Sequence, residues 1–374
     1  MHFPLDPRSL FVEHWGQTGT MPARKPKSNR VTLQDVARKS GFSPSTVSIV
    51  LSNAPLSRNV AEQTKEHIRK TAQELGYRPN VFARSLRSRR SGTIGVLLFD
   101  ISDPYCLLTL RGIEKTLRGT PWLPILLDAH NDPSRLQSYL DMFIERRVEG
   151  LIVVANWLFD EGGLLAKIAQ EEMPVVVVGR DHSSQSISSV LVDNEAGGYE
   201  AIRYLYQLGH RKVAIIRGPR ELADSVRRWN GVERFAGENG WRIESSLVRD
   251  LTVTADPMSP FEGGVKVTEE LLASGEPFTA LMAFDDFTAL GVLRALHQAG
   301  LSVPRDCSVL GFDDMPLASL STPALSTIRQ PMDEMGAIAA RRILNALSEG
   351  SKANPMLELF PPELILRDST LKLD

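Results

Sequence analysis

Carboxylates recur at the ends of apolar runs in the later two-thirds of the chain, and these residues are the best placed to do chemistry. Seven of them follow or end such runs: Asp100, Asp128, Asp193, Asp285, Asp286, Asp313 and Asp314. A carboxylate in such a position can accept hydrogen bonds from a ligand, cap the helix that follows, or act as an acid or base. The pattern alone leaves all three uses open.

The sequence lacks the residue groupings that catalysis would need. Its seven histidines are scattered, with no HExxH pair and no plausible metal-ligand spacing. There is no GxSxG elbow, P-loop or GxGxxG after a strand. Cys106 and Cys307 form neither a framework nor a ligand cluster, which fits a reducing cytoplasm. We therefore expect no enzyme, no metal and no cofactor.

Alternating strands and helices must position the carboxylates. From Thr93 onward, apolar runs are typical of buried parallel strands: TIGVLLF, LPILLDA, GLIVVAN, PVVVVG, SVLVD, RKVAIIRG, FTALMAF and CSVLGF. Helical stretches lie between them, at residues 107–117, 135–146, 197–208, 263–272 and 288–299. This alternation predicts a doubly wound α/β body, which binds ligands at the carboxyl ends of its strands. We place a subdomain boundary near residue 193 and a return crossing near residue 323, with a cleft between two α/β subdomains.

A helix-turn-helix precedes this body, in the segment TLQDVARKSGFSPSTVSIV (residues 32–50). Thr32 is expected to cap the first helix, with Asp35 reaching back to it. Gly41 permits the left-handed turn, and Ser43 caps the second helix with Pro44 at its first position. Such a pair of helices presents the second one to a DNA major groove. A third helix is expected from about residue 61 to residue 75.

Charge separates the chain in the same way. Residues 22–92 contain 15 Lys+Arg and 4 Asp+Glu, a net charge of +11, whereas the whole chain carries −2 and the remainder therefore −13. A basic head attracts phosphates. We divide the chain into a flexible basic arm (1–28), a helix-turn-helix domain (29–78), a hinge helix with a linker (79–92) and a body (93–374). No signal peptide or membrane span is expected.

The order of these motifs resembles the lactose-repressor (LacI/GalR) family of bacterial transcription regulators. The resemblance covers residues 31 to about 368 and rests on the helix-turn-helix together with LGYRPNVFARSL, LRGIEK, LGHRKVAII, AFDDFTALGVLRAL and VPRDCSVLGFDDMPLA. It implies a periplasmic-binding-protein-like body, a homodimer, a pseudo-palindromic DNA operator and a small-molecule effector, commonly a sugar.

The resemblance also implies which residues contact DNA. They lie on the head and the hinge: Thr32, Ser43, Pro44, Ser45, Thr46, Ser48, Ile49, Tyr77, Asn80, Ala83, Arg84 and Leu86. Family members commonly have arginine where this chain has Ile49, so we expect an operator without the usual guanine preference at that step. Alternatively, Ile49 packs inward. Leu86 is expected to wedge into the minor groove, unless it packs against the body.

For the effector, the resemblance points first to Arg228 and Asp286, which would grip polar groups of the ligand. Asp286 could instead cap the helix after its strand, and Arg228 could be a surface ion-pair partner. Phe261 would stack on the ligand or belong to the core. Weaker candidates are Asp100, Tyr105, Trp157 and Asp193, of which the two aromatic residues could equally be packing residues.

We therefore expect a cytoplasmic, sequence-specific DNA-binding regulator, most simply a repressor, gated by a sugar-like effector. The alternative from another class is a periplasmic sugar receptor, which has a similar α/β body. That alternative requires an export signal and no DNA-binding head, whereas the sequence shows the reverse.

Overall fold

The computed structural model describes residues 31–52, 54–78, 90–132, 134–155, 173–185, 187–220, 222–252, 258–349 and 355–373. The chain divides into two compact units between Arg84 and Ser85. We call the described part of the first unit the head (residues 31–78) and that of the second unit the body (residues 90–373). No helix in these described ranges is long and apolar enough to cross a bilayer.

The head is a three-helix unit around a small apolar core. Its helices are α1 (Leu33–Ser40), α2 (Pro44–Leu51) and α3 (Glu62–Glu74), with a 3-10 turn at Pro55–Asn59 in the segment between α2 and α3. One fully buried residue from each helix meets at the centre: Val36, Val47 and Ile68. This burial fixes the angle between the two helices of the helix-turn-helix.

Local hydrogen bonds begin both helices of the motif where the sequence predicts. Thr32 and Asp35 form a capping box, in which the Thr32 side chain accepts from the Asp35 N–H and the Asp35 carboxylate accepts from the Thr32 N–H at 2.9 Å. Gly41 adopts a φ of 75° at the turn. Ser43 Oγ accepts from the N–H of Thr46 at 3.2 Å. The predicted caps are confirmed.

The body contains two six-stranded sheets. Its strands are β1 (Thr93–Leu98), β2 (Leu123–Asp128), β3 (Leu151–Val154), β4 (Val175–Val178), β5 (Ser188–Val192), β6 (Val213–Arg217), β7 (Val248–Asp250), β8 (Ala280–Met282), β9 (Ser308–Asp313), β10 (Ser326–Arg329), β11 (Leu357–Phe360) and β12 (Glu363–Ile365). The first sheet has the order β11-β5-β4-β3-β1-β2 and is parallel throughout. The second has the order β12-β10-β9-β8-β6-β7, in which only β12 runs antiparallel to its neighbour. The parallel pairing follows from strands that are apolar on both faces.

Helices cover both sheets. They are α4 (Pro104–Leu117), α5 (Arg135–Glu145), α6 (Asn194–Gln207), α7 (Ala223–Glu238), α8 (Ser259–Ala273), α9 (Asp286–Gln298), α10 (Pro316–Leu320) and α11 (Met332–Glu349). Glycines allow the closest helix pairs to touch. A Cβ on Gly112 of α4 would lie 1.8 Å from the carbonyl oxygen of Asp333 in α11, so only glycine fits there.

The chain passes between the two sheets three times. Strands β1 to β5 belong to the first sheet. The first crossing follows β5, because α6, which begins at Asn194, packs against the second sheet. The return crossing predicted near residue 323 lies instead between Arg329 and Met332, because β10 pairs with β9 in the second sheet. A third crossing follows between β11 and β12. The short strands β7, β10, β11 and β12 are absent from the predicted set of strands.

Candidate functional site

A cavity of about 210 Å³ lies between the two subdomains of the body, and we call it the cleft cavity. Residues at the carboxyl ends of strands from both sheets line it, among them Phe99 and Gly179 from the first subdomain and Phe284 and Asp313 from the second. Parallel α/β sheets bind ligands at this edge because the strands end there and the following helices begin there. The cavity size and its mixed wall suit a small polar molecule.

Arg228 of α7 is fixed in the wall of the cleft cavity. Its side chain is only 8% exposed, so it does not lie at the surface, but its Nη2 does form an ion pair, at 3.7 Å from Asp313 Oδ1. Nε donates to Asn194 Oδ1 at 2.8 Å, and Nη1 donates to the Phe284 carbonyl at 2.5 Å. The guanidinium carbon lies 3.5 Å from the Phe312 ring centroid. These contacts hold the guanidinium at the cavity wall.

Four carboxylates line the same cavity, and all of them also hold local structure. Asp103 Oδ1 accepts from the N–H of Tyr105 at 2.8 Å at the start of α4. Asp285 does the same at the start of α9, accepting from the N–H of Thr288 at 2.7 Å. Asp224 Oδ1 accepts from the Asn194 amide at 3.0 Å, and Asp313 Oδ1 accepts from the Gln330 amide at 2.5 Å. These carboxylates are therefore held in position before any ligand arrives.

Burial makes it costly to ionise this group of acids. It raises the pKa of Asp103 to about 7, and the neighbouring carboxylates of Asp285 and Asp100 add to the rise. Burial also raises the pKa of Asp224 and Asp285, against the opposing effect of the Arg228 charge. The pKa of Asp313 is raised well above its usual value by burial, again with Arg228 opposing. Burial is the largest cause for all four acids, so the cavity wall favours their protonated form more than water does.

Aromatic side chains supply the apolar part of the wall. Phe99, Tyr105, Phe284 and Phe287 line the cavity. The Tyr105 ring packs against Phe99 with centroids 6.4 Å apart. A Cβ at Gly179 would lie 3.1 Å from the Tyr105 hydroxyl, so the absence of a side chain at Gly179 leaves room for this ring. Tyr105 is therefore both a packing residue and part of the cavity wall.

The structure does not bring all the predicted ligand residues to the cavity. Arg228 and Tyr105 line it, whereas Asp286, Phe261, Asp100 and Asp193 are outside its wall. Asp286 is fully buried behind it, where Oδ2 accepts from the Met315 N–H at 2.7 Å and Oδ1 accepts from Thr327 Oγ1 at 2.6 Å. We therefore correct this assignment: Asp285, one residue earlier, is the carboxylate in the cavity, and it is also the helix cap.

Asp100 and Asp193 have structural partners instead, whereas the contact shown for Phe261 is one of its backbone. Phe261 lies in the first turn of α8, and its carbonyl oxygen packs against Gly291 of α9. Asp100 accepts from the N–H and hydroxyl of Ser102 and from the Asn131 amide. Asp193 caps α6 through the N–H of Ala196 at 2.9 Å. Trp157 lies outside the described residues.

Two of the four cavity carboxylates, Asp103 and Asp224, were missed by the sequence reasoning, as was the second cavity guanidinium, Arg180. Asp103 precedes Pro104, and this Asp-Pro pair is a signal for the start of a helix that the predicted helix from residue 107 overlooked. Asp224 lies in the first turn of α7, a helix that was not predicted at all. Asp285 and Asp313 were both among the carboxylates at strand ends.

The head offers a second candidate surface on α2. Pro44 and Ser45 are exposed at its N-terminus, and Thr46, Ser48 and Ile49 are partly exposed. Val47 and Val50 are buried on the opposite face. Tyr77 is partly buried against the head core. The predicted DNA contacts at Asn80, Ala83, Arg84 and Leu86 lie outside the described residues. Within the residues that can be described, no group of His, Cys, Asp and Glu side chains could hold a metal ion.

Comparisons with known proteins agree with this arrangement. Residues 32–80 match the model of bacterial regulatory proteins of the lacI family, and residues 202–370 match that of a periplasmic binding protein-like domain. The chain is 30% identical to the transcriptional repressor CytR of Escherichia coli K12, over 94% of this chain and 100% of CytR.

Two solved structures are similar along most of the chain. One is the Lac repressor dimer bound to operator and the anti-inducer ONPF, with a TM-score of 0.79 and 27% identity over 92% of this chain and 100% of that one. The other is a complex of the transcriptional regulator CelR with cellobiose, with a TM-score of 0.64 and 26% identity over 91% of this chain and 100% of that one. With its helix-turn-helix head, its two-sheet body and a full-length relative at 30% identity, the chain belongs to the lacI family of bacterial transcriptional regulators.

Proposed function

We propose that this regulator is a repressor that binds a pseudo-palindromic operator as a homodimer, and that a small sugar-like effector in the cleft cavity changes its affinity for DNA. The observation that carries the proposal is the cleft cavity itself. It has a fixed guanidinium, four held carboxylates and aromatic walls, all at the carboxyl ends of the strands. Such a cavity recognises hydroxyl groups by charge-assisted hydrogen bonds and sugar rings by stacking.

The relatives support the individual parts of this proposal. CytR is named a repressor, the Lac repressor structure is a dimer on its operator, and CelR is bound to cellobiose. The operator contacts that we propose for this chain are the exposed residues of α2, namely Pro44, Ser45, Thr46, Ser48 and Ile49, with Thr32 and Ser43 near phosphates. The contacts expected at Tyr77, Asn80, Ala83, Arg84 and Leu86 also remain proposals.

The homodimer is supported by the relative whose structure is a dimer on its operator. A second copy of the chain is the partner that a palindromic operator requires.

Selection of duplexes from a random pool by the full-length protein tests the operator part of the proposal. We expect enrichment of a site with two related halves, occupied by two protomers in a sizing experiment on the complex. Binding should weaken steeply with added salt because phosphate contacts release counterions. Failure to enrich any duplex, with and without a panel of sugars, would contradict the proposal.

A pair of variants on one helix tests the effector part. Arg228→Met removes one of the two guanidiniums in the cavity wall, whereas Arg234→Met removes an exposed arginine of α7 that pairs with Glu195 at 2.6 Å. We expect the first variant to lose the effect of the effector on operator affinity and the second to keep it. A normal effector response in Arg228→Met would remove the cleft cavity from the mechanism.

A further inference from the structure

An ion pair joins the two subdomains of the body directly. Arg227 Nη2 lies 3.5 Å from Asp181 Oδ2. Asp181 follows β4 of the first sheet, whereas Arg227 belongs to α7, which packs against the second sheet. By contrast, Arg234 of the same helix pairs with Glu195 of α6 inside the second subdomain. The Arg227–Asp181 pair can therefore form only while the two subdomains are close together.

The carboxylate of Asp181 is held in position for this pair. Its Oδ1 accepts from the N–H of Ser183 at 3.0 Å and from Ser183 Oγ at 2.6 Å, which leaves Oδ2 for the guanidinium. Burial opposes ionisation of this carboxyl, but the Ser183 hydrogen bonds and the Arg227 charge outweigh burial and lower the pKa of Asp181. Exposed ion pairs are weak partly because both side chains lose freedom on pairing. Here one partner is already ordered, so less freedom is lost.

Arg227 is also rigidly connected to the wall of the cleft cavity. Arg228 follows it in α7, and Asp224 lies three residues earlier, on the same side of the helix as Arg227. Both of these neighbours line the cavity. A movement that separates Arg227 from Asp181 therefore also withdraws Arg228 and Asp224 from the part of the cavity wall that the first subdomain supplies.

We propose that the Arg227–Asp181 pair, which we call the cleft latch, holds the cleft closed and positions α7 for the effector. The three crossings between the sheets act as hinges for such a motion. Because both side chains are partly exposed, at 40% and 27%, the cleft latch changes the ratio of closed to open cleft by about threefold. A shift of that size adjusts the response to an effector without replacing it. Only this consequence for the effector rests on the function proposed above.

Pulsed electron spin resonance on the ligand-free, full-length protein tests the cleft latch. The crossings lie near β5, β10, β11 and β12, so opening is widest at the opposite edges of the sheets, at β2 and β7. Spin labels are therefore attached through Ser138→Cys, in the helix after β2, and Ser246→Cys, in the turn before β7, where both side chains are exposed. Cys106 and Cys307 are buried and should not react. An excess of unlabelled protein keeps the measured distances within one chain.

A double-mutant cycle assigns the opening to the pair. Arg227→Met removes the cation, and Asp181→Asn removes the charge but keeps an oxygen for Ser183. Each is expected to raise the ratio of open to closed cleft by about threefold. The double variant should raise it no further, because the same pair is lost. About 1 M NaCl should reduce the difference between wild type and Arg227→Met.

Two control variants keep either the charge or the subdomain contact. Arg227→Lys retains the cation, and Arg234→Met removes an arginine whose partner lies in its own subdomain, so both should keep the distances of wild type. The melting temperature of each variant shows whether folding is intact.

Unchanged distances in both single variants would overturn the cleft latch. Effects that multiply in the double variant would also overturn it, since the two side chains would then act independently. An equal opening in Arg234→Met would do the same, because any loss of an arginine from α7 would then be sufficient. None of these measurements involves the operator or an effector, so their failure is distinct from a failure of the proposed function.

Discussion

Truncation of the neighbouring aspartates Asp285 and Asp286 should rank the two variants in one order for loss of stability and in the reverse order for loss of effector binding. Asp286→Ala removes a fully buried acceptor of two hydrogen bonds, at 2.7 Å from the Met315 N–H and at 2.6 Å from Thr327 Oγ1. A buried donor left without a partner costs about 1–3 kcal/mol, and the Met315 N–H cannot reorient as the Thr327 hydroxyl can. We therefore expect a loss of about 3 kcal/mol in stability. Asp285→Ala removes a helix cap, which costs about 1 kcal/mol.

Differential scanning fluorimetry on the full-length variants measures this contrast. For a body of this size, about 2–4 °C per kcal/mol gives a fall of about 6–12 °C for Asp286→Ala and of about 2–4 °C for Asp285→Ala. Titration of the effector is expected to show the reverse order, with binding lost in Asp285→Ala and kept in Asp286→Ala below its melting temperature. Equal melting temperatures for the two variants would refute the buried role of Asp286, and so would a stable Asp286→Ala protein that no longer responds.

Three further predictions concern other parts of the chain. Ile49→Arg should move base preference toward guanine at one symmetric operator position by about 1–3 kcal/mol, as read from selected sites, and an unaltered preference would mean that Ile49 does not face the groove. The raised pKa of Asp103, about 7 when folded against 3.8, means that its contribution to stability is present below pH 3.8 and is lost as the pH rises through 7. Asp103→Asn should therefore gain stability relative to wild type across that range, and parallel pH profiles of melting temperature would contradict this. Gly112→Ala should lower the melting temperature sharply, because its Cβ would meet the Asp333 carbonyl at 1.8 Å, whereas Gly237→Ala, with no atom within 4 Å, should not.

The head could be predicted almost completely because its signals are local. Thr32, Asp35, Gly41 and Ser43 act within one helical turn of their own positions, and each does what its residue type favours. The same holds for the apolar residues at helical spacing, which reach a core built from three neighbouring helices. Short-range spacing is sufficient where partners are close in the sequence.

In the body, local sequence patterns predict the long apolar strands but not the short strands. Eight of its strands could be predicted because each is an apolar run, including the edge strand β2, which is largely exposed rather than buried. Among the four short strands, β11 and β12 could not be predicted because their residues are exposed or partly buried and their partners lie more than 30 residues away. The crossing near residue 330 depends on another of the four, β10, so its position was also misjudged.

The position of Asp286 behind the cavity wall has a single physical cause. Two adjacent aspartates follow β8, and only one of them can cap α9. Asp285 is the N-cap of α9. Because successive side chains on a helix point about 100° apart, the Asp286 side chain points away from the cavity and into the core. Residue types could not decide between them, because the choice depends on the position of Met315 and Thr327 from later segments.

In the proposed function, the two helix caps are the link between effector binding and closure of the cleft. Asp103 and Asp285 are fixed to the first turns of α4 and α9, so a group that contacts both also joins the two subdomains. A ligand shifts a conformational equilibrium only by its difference in affinity between the two states. A ligand that contacts one carboxylate in an open cleft and both in a closed cleft binds the closed state more tightly. One charge-assisted hydrogen bond gained on closure supplies about 1.5–3 kcal/mol, comparable to the 1–3 kcal/mol that couples sites in allosteric proteins.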